Sequence, residues 1–170
     1  MIAPVLTTDC LVLRDIEAAD WPAFQEHFAS NRSSMIGDPL AERPAWNVFA
    51  ANVGHWVLHG FGIWTITLKD DMRVGHIGCC YPETWPEKEL GWLIWATYES
   101  KVYAFEAAQA ARAYALGTLG WTKAVSYIDH ANTRSNVLAE RLCAVLDPNA
   151  ANPGGKPCHV YHHPRPEAHA

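Results

Sequence analysis

An apolar segment of strand length leads almost directly into an alanine-rich helical segment near the middle of the chain, and this junction constrains the fold most. Residues 90–95 read LGWLIW, and residues 107–116 consist of alanine with other strong helix formers and one tyrosine. A strand that turns into a helix leaves the first helical N–H groups without partners, and the helix dipole adds partial positive charge there. The junction therefore predicts an anion site, usually for a phosphate, and Lys101 adds a cation to it.

The other patterns divide the chain into strands and helices that fit a single domain over residues 1–170. Helices are predicted after an Asp20 cap, from Pro44, over the alanine-rich segment and after an Asn132 cap, with a loop at 31–42. Antiparallel strands mixed with helices indicate an α+β or mixed α/β fold. The predicted strands, of which the last is an edge strand, are 10–14, 61–68, 74–81, 87–95, 124–128 and 158–162.

Composition narrows the functional class. The formal net charge is −5, which argues against nucleic acid as a partner. Five cysteines without a C-x-x-C pair argue against a disulfide framework. The N-terminus lacks the features of a signal peptide, and no apolar run reaches bilayer length, so no membrane partner is expected. These features favour a cytoplasmic protein.

Three motifs in order carry a resemblance to a known family: Glu-Leu-Gly-Trp at 89–92, Glu-x-Lys-x-Tyr-Ala-x-Glu-Ala-Ala at 99–108 and Asn-x-x-Ser at 132–135. They resemble the GNAT N-acetyltransferases, and most closely the branch of the ribosomal-protein N-terminal alanine acetyltransferases. The resemblance spans roughly residues 8–166. It implies a mostly antiparallel twisted sheet of six to seven strands with about four helices and a splay between strands four and five. It also implies acetyl-CoA as cosubstrate.

The resemblance assigns cofactor-binding roles around the junction. The family loop reads Gln/Arg-x-x-Gly-x-Gly/Ala, so Val102 stands where glycine is usual, while Ala104 fits. The structural alternatives to these roles are a plain strand-to-helix turn, core packing of the Trp95 side chain and simple helix capping by Asn132. The residues implied to bind the pyrophosphate are Ser100, Lys101, Val102, Tyr103 and Ala104; those implied to bind the pantetheine arm are Ile94, Trp95, Ala96 and Asn132.

Val102 allows two interpretations. If the loop needs a positive φ there, the β-branched residue is strained by roughly 1–3 kcal/mol. If the turn is already right-handed, the isopropyl group only crowds the phosphates. Both interpretations predict that Val102→Gly tightens acetyl-CoA binding by about tenfold, which corresponds to some 1.4 kcal/mol.

Two residues are catalytic candidates. Glu89 is positioned on the strand before the loop to take a proton from an acceptor amine, directly or through water. Its alternative is a solvent-facing acid like the nearby Glu83 and Glu87. By resemblance, Ser135 returns a proton to the departing thiolate, and strand-edge N–H groups stabilise the oxyanion.

Histidines and tryptophans yield weaker hypotheses. His159, His162, His163 and His169 could hold a metal, but no spacing defines ligands, so a solvated tail is favoured and no metal is predicted. Trp46, Trp56 and Trp85 either wall an acceptor pocket or pack in the core.

The sequence thus predicts an acetyl-CoA-dependent N-acetyltransferase that acts by direct transfer. The expected acceptor is a small-molecule amine or a protein N-terminal amine, and the expected state is a monomer or homodimer. The alternative is a catalytically weak acyl-CoA-binding or regulatory domain of the same fold.

Overall fold

The computed structural model describes residues 3–154 and 157–164, which form one mixed sheet flanked by helices. The strands are Leu6–Thr7 (β1), Leu11–Arg14 (β2), Ile63–Leu68 (β3), Arg73–Cys80 (β4), Glu89–Ile94 (β5), Val125–Asp129 (β6), Val145–Leu146 (β7) and Cys158–His162 (β8). The α-helices are Trp21–Ala29 (α1), Glu42–His59 (α2), Tyr103–Ala113 (α3) and Thr133–Arg141 (α4). Across the described ranges, no helix has the length and apolarity needed to cross a membrane.

The sheet runs in the order β1-β2-β3-β4-β5-β6-β8-β7. Every neighbouring pair is antiparallel except β5 and β6, which are parallel. The predicted α+β class with a mostly antiparallel sheet is confirmed, and the two-residue strands β1 and β7 bring the strand count above the predicted six to seven. The prediction that 158–162 is an edge strand is wrong, because β7 pairs with its outer side.

The predicted splay lies between β5 and β6. These two strands pair at a single position, Glu89 with Val125, whereas β4 and β5 share six paired positions. The Ser126 hydroxyl donates to the Leu90 carbonyl at 2.5 Å, at the point where the strands separate. Beyond this point the β6 side of β5 has no neighbouring strand among the described residues.

The two faces of the sheet bury different residues because side chains alternate along β5. Leu90 packs on the face covered by α3, whose small residues Ala107, Ala108 and Ala111 allow close approach to the sheet. Trp95 packs on the opposite face with Phe24 of α1 and Phe49 of α2. Leu93 packs with this second group. Glu89 lies four residues before Leu93 on the same face of β5, so its side chain also projects toward the α1 and α2 side.

Several predicted boundaries shift. The helix assigned to Pro44 begins at Glu42, and the predicted 31–42 loop contains a 3-10 turn, Asn31–Met35. The alanine-rich helix begins at Tyr103 and continues into a π-helical turn, Tyr114–Thr118. The cap at Asn132 is confirmed, because its side chain accepts a hydrogen bond from the Ser135 N–H.

Asp20 does not cap α1 with its side chain, contrary to the sequence prediction. Its carboxylate is only 1% exposed and instead accepts hydrogen bonds from side chains of β2, β3 and β4. Arg14 donates to both of its oxygens at 2.9 and 3.0 Å, Arg73 Nε donates at 2.7 Å and Thr65 Oγ1 at 2.7 Å. These donors hold the pKa of Asp20 far below its ordinary value despite the opposing effect of burial. The carboxylate therefore ties the start of α1 to three strands.

Replacing Asp20 with Ala should destabilise the fold by about 3–5 kcal/mol, because two arginines lose their buried partner. The folded-state pKa is depressed, so the contribution is complete above the unfolded pKa near 3.8 and is lost as the pH falls below it. Urea unfolding of wild type and Asp20→Ala at pH 7 and pH 3 measures this, with the exposed Asp9→Ala as control and Asp20→Asn as a milder variant. If Asp20→Ala lowers the free energy of unfolding by the same amount at pH 7 and at pH 3, the stabilisation does not come from the ionised carboxylate.

Candidate active site

A cavity of about 760 Å³ occupies the opening left by the splay. Its walls come from the end of β5, the loop before α3, the first turns of α4 and the 3-10 turn Asn31–Met35. Among the described residues that line it, Glu99 is the only acid, whereas four are permanently cationic. The cations are Arg32, Lys101, Arg134 and Arg141. We call this space the cationic cavity, and it suits an anionic ligand in a protein whose net charge is negative.

The loop before α3 has one left-handed residue, and it is Ser100 (φ 59°), not Val102. Val102 adopts φ −72° and ψ −2°, in the right-handed region, so the strained interpretation of this residue is wrong. Its side chain is 57% exposed, and neither Val102 nor Tyr103 is among the residues lining the cationic cavity. Ser100, Lys101 and Ala104 do line it. Crowding of a ligand by the isopropyl group therefore has no support in this geometry.

Glu99 connects both sides of the cavity. Its carboxylate oxygens accept hydrogen bonds from Arg32 of the 3-10 turn and from Arg134 of α4. Both contacts are partly open to solvent. The carboxylate thus holds two guanidinium groups at the mouth of the cavity while neutralising part of their charge.

The exposed edge of β5 supplies backbone groups to the same cavity. The Trp95 N–H donates to the Val74 carbonyl at 2.9 Å, so it belongs to the ladder with β4. Alternation along an antiparallel ladder then directs the backbone groups of Trp92 and Ile94 to the other side, toward the splay. Of the predicted arm-binding residues, Ile94 offers its N–H there, the Trp95 side chain packs in the core, and Ala96 begins a 3-10 turn, Ala96–Tyr98.

A second cavity of about 720 Å³ lies on the α1 and α2 side of the sheet. The two cavities meet at the splay, where they share Trp92, Leu93, Asn132 and Ser135. They also share Ser34, Met35 and Ile36 of the segment after α1. The charged lining of this second cavity within the described ranges consists of carboxylates alone, with no lysine or arginine. The carboxylates are Asp38, Glu89 and Asp129. We call this space the acidic cavity.

Glu89 is half-buried in the acidic cavity. Its Oε1 accepts a hydrogen bond from the Tyr127 N–H at 3.3 Å, and Cys80 is its direct partner across the β4–β5 ladder. Burial raises the pKa of Glu89 to about 8, and the hydrogen bond from Tyr127 opposes that shift only partly. A carboxyl group with such a pKa exchanges protons near neutral pH, as a general base must.

Ser135 lies where the two cavities meet. Its backbone N–H donates to Asn132 Oδ1 at 3.1 Å, and its hydroxyl oxygen accepts a hydrogen bond from Trp92 Nε1 at 3.1 Å. Because the indole occupies an acceptor position of the hydroxyl, the O–H of Ser135 is available as a donor. The cap and the indole fix this hydroxyl at the open edge of β5.

The remaining sequence candidates are distributed as follows. Trp85 lines the acidic cavity with its ring edge-on to Tyr127 at 5.3 Å, whereas Trp56 is buried and Trp46 packs on Trp21. His159 contacts Asn136, His162 pairs with Asp147, and His163 contacts Ser126. His169 lies outside the described residues. In the described part of the chain, no three His, Cys, Asp or Glu side chains are grouped as metal ligands.

Comparison with known proteins agrees with this geometry. The family model of the acetyltransferase (GNAT) domain matches residues 11–144. The chain belongs to the GNAT acetyltransferase family. An acetyltransferase from Agrobacterium tumefaciens str. C58 is 36% identical with a TM-score of 0.91, and the match covers 96% of this chain and 95% of that one. The resemblance drawn from the three motifs is thereby confirmed.

Two more distant structures share the fold. A GNAT-family acetyltransferase from Bordetella pertussis is 24% identical with a TM-score of 0.79, over 95% of this chain and 100% of that one. RimL, a ribosomal L7/L12 α-N-protein acetyltransferase in complex with coenzyme A, is 14% identical with a TM-score of 0.75, over 94% and 97%. GNAT acetyltransferases use acetyl-CoA, and the charge of the cationic cavity is complementary to the phosphates of such a cosubstrate.

The loop geometry predicts opposite responses at Ser100 and Val102. Ser100→Val should weaken acetyl-CoA binding and cost about 1–2 kcal/mol of stability, because a β-branched residue tolerates φ > 0 poorly. Val102→Gly should leave the dissociation constant within about threefold of wild type, since this side chain does not face the cavity. Isothermal titration and thermal unfolding of both variants measure these effects. A tenfold gain in affinity from Val102→Gly would restore the crowding hypothesis.

Glu99→Gln should tighten acetyl-CoA binding by about tenfold at low salt, because the change removes a like charge from the phosphates and frees Arg32 and Arg134. The gain should shrink as the salt concentration rises, since both contacts are partly exposed. Glu83→Gln, an exposed acid outside both cavities, is the control. Unchanged binding by Glu99→Gln would show that the arginines do not meet the phosphates, and weaker binding would show that positioning of the arginines by Glu99 outweighs its charge.

Proposed function

We propose that this protein is an N-acetyltransferase that moves the acetyl group of acetyl-CoA directly to a primary amine. The observation that carries the proposal is the meeting of two cavities of opposite charge at Ser135. The cationic cavity fits the phosphates of CoA, and the acidic cavity fits an ammonium group. Each substrate thus has a cavity of complementary charge. Such an arrangement favours direct transfer without an enzyme-bound acetyl group.

Each step of the chemistry can be assigned to a residue of the two cavities. Glu89, from the acidic cavity, takes the proton that the acceptor ammonium must lose before attack. Bound acetyl-CoA supplies a thioester whose carbonyl is open to that attack. The N–H of Ile94 at the open strand edge is directed toward the splay, where it can stabilise negative charge on a carbonyl oxygen. Ser135 donates a proton to the sulfur of the departing thiolate.

The alternative, a catalytically weak acyl-CoA-binding domain, is supported in the sequence mainly by Val102, which stands where the family loop usually has glycine. The right-handed backbone of Val102 removes most of that support. Release of free CoA, measured with and without a panel of primary amines, separates the two functions. Amine-dependent release with a matching acetylated product supports transfer. Acetyl-CoA binding without any amine-dependent release would favour the binding domain.

Glu89→Gln should lower kcat/KM by about a hundredfold at pH 8 while the KM for acetyl-CoA stays nearly constant. The wild-type rate should rise with pH up to about 8, and this acidic limb should disappear in the variant. Glu87→Gln, which changes a neighbouring acid paired with Lys123, is the matched control. An identical pH profile for Glu89→Gln and wild type would remove Glu89 from the mechanism.

Glu89→Gln should lower the activity but raise the thermal stability. Burial raises the folded-state pKa of Glu89 from 4.5 to about 8, so the folded protein loses stability as the pH rises through this interval. A neutral glutamine avoids that cost, and Glu89→Gln should therefore unfold at a higher temperature than wild type at pH 8 and above. Near pH 4.5 the difference should vanish. Thermal unfolding between pH 4.5 and pH 9 measures it.

A further inference from the structure

The acidic cavity has a lining that restricts the acceptor more narrowly than a primary amine. Apolar side chains make up more than half of its lining, and most of them come from α1, the loop after it, α2, the strands β3 to β6 and the β4–β5 loop. Those on the α1 and α2 side that bound the space include Phe24, Phe28, Ile36, Leu40 and Val48. An acceptor that fills this space must bury an apolar body against them.

The charges in the cavity exclude one kind of amine. All charged side chains that line it in the described part of the chain are carboxylates, so an ammonium group finds partners and a substrate carboxylate finds none. A carboxylate placed there would lose its water and face like charges, which costs several kcal/mol. The lining therefore discriminates between an amine and the corresponding amino acid.

The floor of the cavity leaves room beside the base. Gly91 lies opposite Gly78 in the ladder, next to the pair of Glu89 and Cys80. A Cβ atom at Gly91 would lie 3.5 Å from Glu89 Oε2, so the glycine keeps a space open in contact with the carboxylate. A flat ring can lie on this bare backbone with its amine near Glu89.

His76 closes the other end of this strip. It lies four residues before Cys80 on the same face of β4, about 13 Å along the strand. The imidazole is 3% exposed, lines the acidic cavity, and has no hydrogen-bond partner on either ring nitrogen within the described residues. Its ring packs against the rings of Phe24 and Trp95, and burial lowers the pKa of His76 to about 4, so this end of the strip is a neutral aromatic wall. The space from Glu89 to His76 has the length of an aromatic ring with a short aminoalkyl chain.

Resting on the proposed acetyl transfer, we propose that the acceptor is a small arylalkylamine: a primary amine on an uncharged aromatic body, without a carboxylate. Gly91 and the acid-only lining are its specificity determinants. A protein N-terminus would place polar peptide groups against walls that are mainly apolar, so we expect it to be a poorer acceptor. Its acetylation is the competing outcome of the experiment.

Tryptamine, tryptophanamide and tryptophan test the charge rule, because they share ring and amine and differ at one substituent. With rates corrected for the fraction of free amine, kcat/KM for tryptophanamide should lie within about tenfold of tryptamine, and tryptophan should lie at least a hundredfold lower. Equal use of tryptophan would overturn the inference and leave acetyl transfer intact. Faster acetylation of a hexapeptide that begins with serine than of these three amines would likewise overturn the inference and leave acetyl transfer intact. If none of these amines or peptides causes the release of CoA, the proposed function itself is refuted.

Two substitutions test the assigned residues. Gly91→Ala should raise the KM for tryptamine at least tenfold more than the KM for ethylamine and leave the KM for acetyl-CoA unchanged, because the added methyl group occupies the ring space of the acidic cavity. Gly54→Ala, at a helical glycine of α2 with open space around it, is the control. Val48→Arg places a cation in the wall and should raise the tryptophan-to-tryptamine ratio at least tenfold. Unchanged ratios in both variants, with folding verified by thermal unfolding, would overturn the proposal.

Discussion

The early separation of β6 from β5 is the constraint on which the rest of the site depends. A single paired position, Glu89 with Val125, holds the two strands together. At the next step the Ser126 hydroxyl replaces a ladder hydrogen bond by donating to the Leu90 carbonyl. Buried backbone groups need partners, so the open groups of Trp92 and Ile94 require water or a ligand. The open edge of β5 therefore offers a binding site, because its backbone groups form no hydrogen bonds within the sheet.

Charge is separated across this opening. The chain carries a net charge of −5. Among the residues that the structure describes, four permanent cations and a single acid line one cavity, whereas the charged residues of the adjoining cavity are all acids. Glu99 keeps two of the cations in place at the mouth. Burial raises the pKa of Glu89, which lies in the lining of the acidic cavity.

Sequence reasoning predicted what local chemistry controls. The junction before α3 and the Asn132 cap depend on neighbouring residues, and both were predicted correctly. Asp20 resembled a cap because its local signal is the same, but arginines brought by β2 and β4 attract the carboxylate more strongly.

Other features were beyond reach because they depend on tertiary contacts. Arg32 belongs to a segment that looked like an ordinary loop, and only folding brings it to Glu99. Arg134 is an exception, because it lies inside the Asn-x-x-Ser motif and its position near the loop before α3 could have been inferred from the sequence. The two-residue strand β7 carries too little pattern to be recognised, which is why the edge of the sheet was misplaced.

A crystal structure of the protein with coenzyme A tests the central claim most directly. The account predicts that the phosphates lie in the cationic cavity near Lys101 and Arg134, that the arm follows the open edge of β5, and that the sulfur lies within hydrogen-bonding distance of the Ser135 hydroxyl. Coenzyme A bound elsewhere, or with its sulfur directed away from the junction of the two cavities, would contradict it.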